Sequence, residues 1–183
     1  MTTRQRGRRN SATAPSARFR PLTPAEAEGK AGELLADLVP RHGQVGEMVA
    51  TMAHSPAVLA GYLDLSRAMK RAQLDRALSE RVSVAVQARL GCQTCLDAHT
   101  QAARGVGVSD EEIELARTAT SADPRVAALL TFAMKVLTAP ATITDDDVVD
   151  LLAEGYSERE IVDVVGVVAL NQLTGSFNLV AGL

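Results

Sequence analysis

The sequence predicts an all-α fold, a compact domain of seven to eight helices. Apolar residues make up 46% of the 183 residues, whereas aromatic residues make up only 3%. Most of the apolar residues are Ala, Val and Leu, and of these Ala and Leu favour helices. Apolar residues recur at helical spacing between capping signals, and no segment shows the alternation with turn residues that is typical of β-strands. The length suits one domain with a substantial core.

The first helices are indicated by a capping hydroxyl residue followed by proline. Thr23-Pro24 and Ser55-Pro56 both have this pattern of a helix start. We expect the helix after Thr23 to end before Pro40, because proline disrupts a helix interior. A short apolar helix should follow around residues 48–52.

The middle helices flank the two cysteines of the chain. Asp75 is the expected cap of a helix that ends at Leu90, because Gly91 is the usual left-handed terminator. A further helix is expected from Cys95 to about Gly105. This arrangement would place both sulfurs at the junction of two helices.

The remaining helices also begin with polar caps. Ser109 and Ser157 are each followed three residues later by glutamate, which predicts capping boxes. Helices are also expected over residues 124–138 and from Thr144. The likeness of the two serine caps leaves two interpretations open, since good helix starts resemble one another and a helical unit could also be duplicated.

The charge is distributed unevenly along the chain. The net charge is −3 at pH 7, yet six arginines lie in the first twenty residues, so the remainder carries about −9. We interpret residues 1–21 as a disordered basic tail and residues 22–183 as the domain. The acidic body argues against nucleic acid as a partner. No apolar run approaches about 18 residues and the tail lacks the apolar segment of a secretory signal, so we expect no membrane span and a cytoplasmic location.

The chemistry is expected at Cys92 and Cys95. Two cysteines three residues apart, without an export signal, are typical of a catalytic or metal-binding pair rather than of a structural disulfide framework. Such a pair can exchange an S–S bond for two electrons. The N–H groups at a helix start favour thiolate.

His99 and Glu80 are the expected carriers of protons. His99 lies four residues after Cys95, about 6 Å away on one helical face, and can accept the thiol proton. Glu80 could orient the imidazole, but it lies about 18 Å before Cys92 along a continuous helix. It can meet His99 only if the chain reverses at Gly91. We interpret His42 and His54 as structural, and we expect neither a metal nor an organic cofactor.

The joint pattern is a known signature. Glu80, eleven residues, Cys92-x-x-Cys95 and three residues before His99 resemble the motif of the alkylhydroperoxidase AhpD-like family, within the wider carboxymuconolactone decarboxylase-like superfamily. Residues 170–174 resemble the late helix of that family, which bears an Asn. The resemblance covers roughly residues 25–180, with its specific part in residues 80–99.

The resemblance implies an all-helical protein that forms homotrimers or homohexamers and reduces peroxides or disulfides. It implies that Cys95 attacks the peroxide and becomes a sulfenic acid, that Cys92 supplies a proton and closes the disulfide, and that Glu80 and His99 relay protons. By analogy with thioredoxin, Cys92 would be the nucleophile instead, whereas the spacing to His99 favours Cys95. Some relatives receive electrons from a lipoyl protein and regenerate a peroxiredoxin. Some also carry a histidine between the cysteines, where this chain has Gln93-Thr94.

Three alternatives remain open. Cys92, Cys95, His99 and a carboxylate could form a zinc-type site, although only three of these ligands are local. The same scaffold could be a lactone decarboxylase, which would not need a cysteine pair. The pair could also be a redox sensor without turnover.

Overall fold

The all-α prediction is confirmed. A computed structural model describes residues 17–183, except for the side chain of His42, and these residues contain helices and no strand. The helices are α1 (Gly29–His42), α2 (Glu47–Met52), α3 (Pro56–Met69), α4 (Arg76–Leu90), α5 (Gln93–Gly105), α6 (Asp110–Arg117), α7 (Pro124–Thr138), α8 (Asp145–Ala153) and α9 (Glu158–Ala181). A 3₁₀ turn, Pro140–Thr142, links α7 and α8.

The number of helices in the described chain is nine, above the seven to eight expected. Each of the nine corresponds to a helix that the sequence indicates, and α2, α6 and α8 are short helices of six, eight and nine residues. Such short helices are marginal alone and are stabilised by packing of their apolar face. Each contributes buried side chains, such as Met52 in α2, Ile113 in α6 and Leu151 in α8.

The helix α4 is the centre of the molecule. It packs against α5, α6, α7 and α9, and residues 82–87 are all buried. A helix that is buried on every side shows no amphipathic stripe. One large apolar cluster surrounds α4, and a smaller one, which includes Leu35, Met52 and Leu59, joins α1 to α2 and α3.

The ends of α4 follow the sequence signals. Asp75 accepts hydrogen bonds from the N–H groups of Ala77 (2.8 Å) and Leu78 (3.3 Å). Gly91 has φ 78°, the left-handed conformation that ends a helix and that L side chains disfavour. The chain therefore turns sharply just before Cys92, and α5 packs back against α4.

The first helix differs from the expectation at both ends. Thr23 and Glu26 form a single capped turn, but α1 begins at Gly29, whose φ of 52° separates that turn from the helix. At the other end α1 continues through Pro40 to His42. Proline removes the partner of the Ala36 carbonyl, but Ala36 is exposed, so water can satisfy that oxygen.

One of the two expected capping boxes is incomplete. At Ser157 the box is present in both directions, with the Glu160 carboxylate accepting from the Ser157 N–H at 2.8 Å. At Ser109 only the hydroxyl caps α6. The Glu112 carboxylate instead accepts from the Ser121 hydroxyl and the Ala122 N–H, because the loop after α6 returns to it.

Of the expected tail, residues 1–21, the first sixteen residues lie outside the part of the chain that the structure describes. Residues 17–21 run along the end of α9, where the Arg18 guanidinium donates to the carbonyls of Leu179 (2.7 Å) and Val180 (3.0 Å). Cations near a helix C-terminus suit its dipole. These contacts connect the beginning of the described chain to its last helix.

Among the described helices, α9 alone is long and apolar enough to cross a membrane by length and composition. It packs against α3, α4 and α7 and buries Val164, Val168, Asn171 and Asn178. The core helix of a globular domain passes the same test. We interpret α9 as such a core helix.

Candidate active site

The two cysteines lie at the start of α5 and form a disulfide. Cys92 is the N-cap residue, and Cys95 lies in the first turn, with 5.4 Å between the two Cα atoms. Cys92 is 2% exposed and Cys95 is 7% exposed. The Cys92 side chain does not cap the helix. Both sulfurs are therefore placed for S–S chemistry.

The reversal at Gly91 brings Glu80 to His99. The Nδ1 atom of His99 lies 2.8 Å from Oε2 of Glu80, across the contact between α4 and α5. A carboxylate can only accept, so Nδ1 carries the proton of this bond. The other ring nitrogen, Nε2, is then free to accept a proton.

Glu80 is held as a buried carboxylate between two partners. Its side chain is 6% exposed, and the Arg76 guanidinium donates to Oε1 at 2.6 Å. Burial would raise the pKa of Glu80, but the hydrogen bonds and charges of His99 and Arg76 outweigh that effect, so its pKa lies below the ordinary 4.5. Glu80 is therefore ionised at neutral pH and can stabilise a positive imidazolium.

A cleft of about 290 Å³ leads to the Cys95 sulfur. It is lined by Met48, Tyr62, Ser66, Thr94, Cys95, Ala98, His99, Leu170, Asn171, Thr174 and Asn178. This volume is near the lower end for ligand pockets, and much of the lining is apolar. Cys92 is not among the lining residues, so the cleft gives access to Cys95 only.

A second cleft, of about 430 Å³, adjoins the first, and the two share Ser66, His99, Leu170 and Asn171. Glu80, Arg76, Lys70 and Ser79 line the second cleft, and the cysteines do not. His99 therefore lines both the cleft that contains Cys95 and the cleft that contains Glu80. The ring is positioned to pass a proton between a reacting molecule and solvent.

A buried polar network joins α9 to α4 beside the disulfide. Asn171 donates to the Ser83 hydroxyl at 2.9 Å and accepts from the Gln87 amide at 2.9 Å. Two turns later, Asn178 donates to the Cys95 sulfur at 3.2 Å. The Asn171 position noted in the sequence therefore fixes the two helices together and lines the cleft, while Asn178 contacts the sulfur.

Sequence reasoning missed Arg76, Gln87 and Asn178. Arg76 lies four residues before Glu80, a spacing that pairs side chains on one helix. Asn178 lies seven residues after Asn171, hence on the same face of α9. Both spacings can be recognised in the sequence, whereas the burial of Gln87 depends on which helices surround α4.

The other expected residues lie elsewhere. His54 is exposed, and its Nε2 lies 2.9 Å from the Arg20 carbonyl. The side chain of His42 is outside the described part. Gln93 donates to Asp97 at the surface of α5. Within residues 17–183, no group of three or more His, Cys, Asp or Glu side chains is arranged to hold a metal.

The fold and the site define a class, that of all-α proteins with a Cys-x-x-Cys pair beside a buried carboxylate–imidazole pair. Residues 56–139 match the model of the carboxymuconolactone decarboxylase family. This segment, 84 of the 183 residues, contains Glu80, both cysteines and His99.

Two proteins are similar to parts of this chain. An alkyl hydroperoxide reductase of Mycobacterium tuberculosis is 34% identical over 91 residues, which are 49% of this chain and 26% of that protein. The chain thus matches only about a quarter of that relative's length. The uncharacterized protein YdfG of Bacillus subtilis is 25% identical over 61% of this chain and 76% of its own length.

A solved structure shares the fold. It is an uncharacterized peroxidase-related protein from Ralstonia eutropha with an alkylhydroperoxidase AhpD core. The TM-score is 0.77 with 21% identity, over 93% of this chain and 92% of that chain. At this identity the likeness establishes the fold, and function has to be argued from the site.

Proposed function

We propose that this protein is a thiol-dependent peroxidase that reduces organic hydroperoxides. The observation that carries the proposal is the Cys92–Cys95 disulfide beside a cleft that also contains His99, whose Nδ1 is bonded to Glu80. A closed disulfide is the product expected of one turnover. The apolar lining of the cleft favours an alkyl or aryl hydroperoxide over hydrogen peroxide.

The first step is attack of the Cys95 thiolate on the terminal oxygen of the hydroperoxide. An S–O bond forms and the O–O bond breaks, so that Cys95 becomes a sulfenic acid. The departing alkoxide takes a proton from the His99 imidazolium and leaves as an alcohol. Glu80 stabilises the imidazolium before that transfer.

The second step closes the disulfide. The Cys92 sulfur loses its proton and attacks the Cys95 sulfur, which forms the S–S bond and breaks the S–O bond. The hydroxide released takes up a proton and leaves as water. Together the steps consume one hydroperoxide and two thiols, and yield alcohol, water and the disulfide.

An external dithiol must then supply two electrons. The cleft reaches Cys95 and not the more buried Cys92, so an incoming thiolate would attack Cys95 and release Cys92. A narrow cleft suits a dithiol on a flexible arm, such as a lipoyl group. We propose a lipoyl protein or a similar dithiol as donor, a peroxiredoxin as a possible electron acceptor, and a reducing compartment such as the cytoplasm.

The test is reduction of cumene hydroperoxide with dihydrolipoamide as the reductant. We expect steady-state turnover by the wild type and loss of at least 100-fold in Cys95→Ser, because the attacking sulfur is gone. Without dihydrolipoamide, Cys92→Ser should consume about one equivalent of peroxide and then stop, because Cys95 has no partner thiol with which to close a disulfide. Full turnover by Cys95→Ser would contradict the scheme.

This assay and two further measurements separate the alternatives. A redox sensor would form the disulfide once without steady-state turnover. A decarboxylase would act on its lactone equally well in Cys92→Ser/Cys95→Ser, since that chemistry does not need the sulfurs. A zinc module would contain stoichiometric zinc when purified in reduced form without added metal.

We also propose that the protein associates with copies of itself, as trimers or hexamers, through α9. The outer face of α9 consists of Val162, Val165, Ala169, Gln172, Ser176 and Val180, all exposed. No charged residue occurs from residue 164 to residue 183. Because the body of the chain is acidic, two copies avoid repulsion only through an uncharged face.

A further inference from the structure

The amide of Asn178 contacts one sulfur of the pair. Its Nδ2 atom donates to Sγ of Cys95 at 3.2 Å, and the residue is 6% exposed. No comparable side-chain hydrogen bond reaches the Cys92 sulfur from the described residues. The two cysteines therefore differ in their polar surroundings as well as in their access to the cleft.

Asn178 lies in the last turn of α9. Its main-chain carbonyl accepts from the N–H of Gly182 at 2.8 Å, and Gly182 closes the helix in the left-handed conformation. Arg18 binds the next two carbonyls, those of Leu179 and Val180. The main chain that carries Asn178 is thus held in the last turn of α9, and the side chain that it carries is buried against Cys95.

The other end of the amide shows that packing alone does not explain this residue. Its Oδ1 atom is buried and has no hydrogen-bond partner among the described residues. An unpaired buried amide oxygen is costly, and an apolar side chain of the same shape would avoid that cost. A buried polar group retained with an unpaired atom calls for a functional reason.

Reduction of the disulfide raises the question of which sulfur is ionised. The N-terminus of α5 favours a thiolate at either position, because Cys92 is the N-cap residue and Cys95 lies in the first turn. A hydrogen-bond donor to the sulfur stabilises the charged form and not the neutral thiol. Among residues 17–183 as described, Cys95 alone has such a donor from a side chain, the Asn178 amide.

We propose that Asn178 is a positioning residue that makes Cys95, rather than Cys92, the thiolate of the reduced pair. The inference rests on the proposed function only in treating Cys95 as the attacking sulfur. Asn178 reaches the reaction through that sulfur and not through the proton carriers His99 and Glu80. It therefore accounts for the choice between two cysteines that the sequence left open.

The test measures the thiolate absorbance of each cysteine as a function of pH. The chain has two cysteines, so Cys92→Ser leaves Cys95 alone and Cys95→Ser leaves Cys92 alone. Asn178→Leu, which keeps the size of the side chain, is then added to each. We expect about tenfold less thiolate at neutral pH for Cys95, as loss of one hydrogen bond to a charge would give, and no change for Cys92.

Controls keep the result decisive. Leu179→Ala removes an exposed side chain from the same turn of α9 and should leave both titrations unchanged. If Asn178→Leu does not fold, Asn178→Asp keeps the shape and replaces the donor by an acceptor, with the same expected direction. An unchanged Cys95 titration, or equal shifts at both cysteines, would overturn the inference. If the wild type shows no peroxide turnover but Asn178→Leu still lowers the thiolate fraction of Cys95, the result counts against the proposed peroxidase function alone.

Discussion

At the scale of single residues, Glu80 shows how burial and pairing compete. Its carboxylate is almost inaccessible, yet it is ionised because it bonds His99 and Arg76. Removing either partner would leave a buried charge with half of its compensation. Arg76 is 64% exposed, so solvent screens its attraction to the Glu80 carboxylate. His99 therefore contributes more to the stabilisation of that charge.

Replacement of Glu80 by glutamine should impair the proton relay and leave the sulfurs in place. We expect kcat to fall about 10²-fold, the usual contribution of a general acid–base group, because the imidazolium loses its counter-charge. Arg76→Gln is the matched control and should cost less than tenfold. An unchanged kcat in Glu80→Gln would mean that His99 does not depend on Glu80. The measurement is hydroperoxide turnover with dihydrolipoamide.

The Glu80 pairing should also appear in acid stability. Because the folded-state pKa lies below 4.5, the carboxylate stabilises the fold above that value, and the contribution is lost as the pH falls through the folded pKa. The stability difference between wild type and Glu80→Gln should therefore shrink as the pH falls from 4.5 through the lower folded-state pKa of Glu80. Urea denaturation at several pH values measures it. A difference that grows on acidification would contradict the assigned direction.

At the scale of helices, the contact between α4 and α9 depends on a residue without a side chain. A Cβ atom on Gly175 would lie 2.4 Å from Oε1 of Gln87 and 2.8 Å from Cδ1 of Leu90. Gln87 cannot move freely, because its amide also bonds Asn171. This glycine sets the distance between the helix that carries Glu80 and the helix that carries Asn178.

Gly175→Ala should therefore destabilise the protein by about 1–3 kcal/mol through overpacking. Gly61→Ala is the matched control, since Gly61 lies in α3 and a Cβ there meets nothing within 4 Å. That change should stabilise by about 0.5–1 kcal/mol, the helix propensity difference. Thermal or chemical denaturation of the two variants gives the comparison. A neutral Gly175→Ala would mean that α9 shifts without cost.

Local signals predicted most helix boundaries, and tertiary contacts explain the exceptions. Asp75, Gly91 and Ser157 behave as their types suggest, since caps act through neighbouring backbone groups. Glu112 does not complete its box, because Ser121 and Ala122 in the loop after α6 return to it and donate to its carboxylate. The same limit applies to the site, where Glu80 and His99 could be paired from a motif but Gln87 could not.

At the scale of the whole molecule, the outer face of α9 defined by Val162, Val165, Ala169, Gln172, Ser176 and Val180 is an uncharged surface on an acidic body. Val162 is 68% exposed and Val180 is 60% exposed. The helix is 24 residues long, about 36 Å, so the face is extended enough for a substantial contact. Apolar patches of this kind mark association sites.

A charge on this face should separate the copies. We expect Val165→Asp to lower the molecular mass in solution from an oligomer to a monomer, because an unpaired carboxylate would be buried between subunits. Val149→Asp places the same charge at a site 58% exposed on α8 and should leave the mass unchanged. Light scattering coupled to gel filtration measures both. A wild type that is already monomeric would contradict the proposal.

The position of His99 between two clefts has a consequence for inhibition. A bulky oxidant can fill the 290 Å³ space over Cys95 while the 430 Å³ space beside Glu80 stays open to water. The two clefts share His99, Ser66, Leu170 and Asn171, but only the larger one is lined by Glu80 and Arg76. An inhibitor lodged beside Arg76 and Lys70 would stop proton delivery without competing for the hydroperoxide, and its kinetics would be noncompetitive.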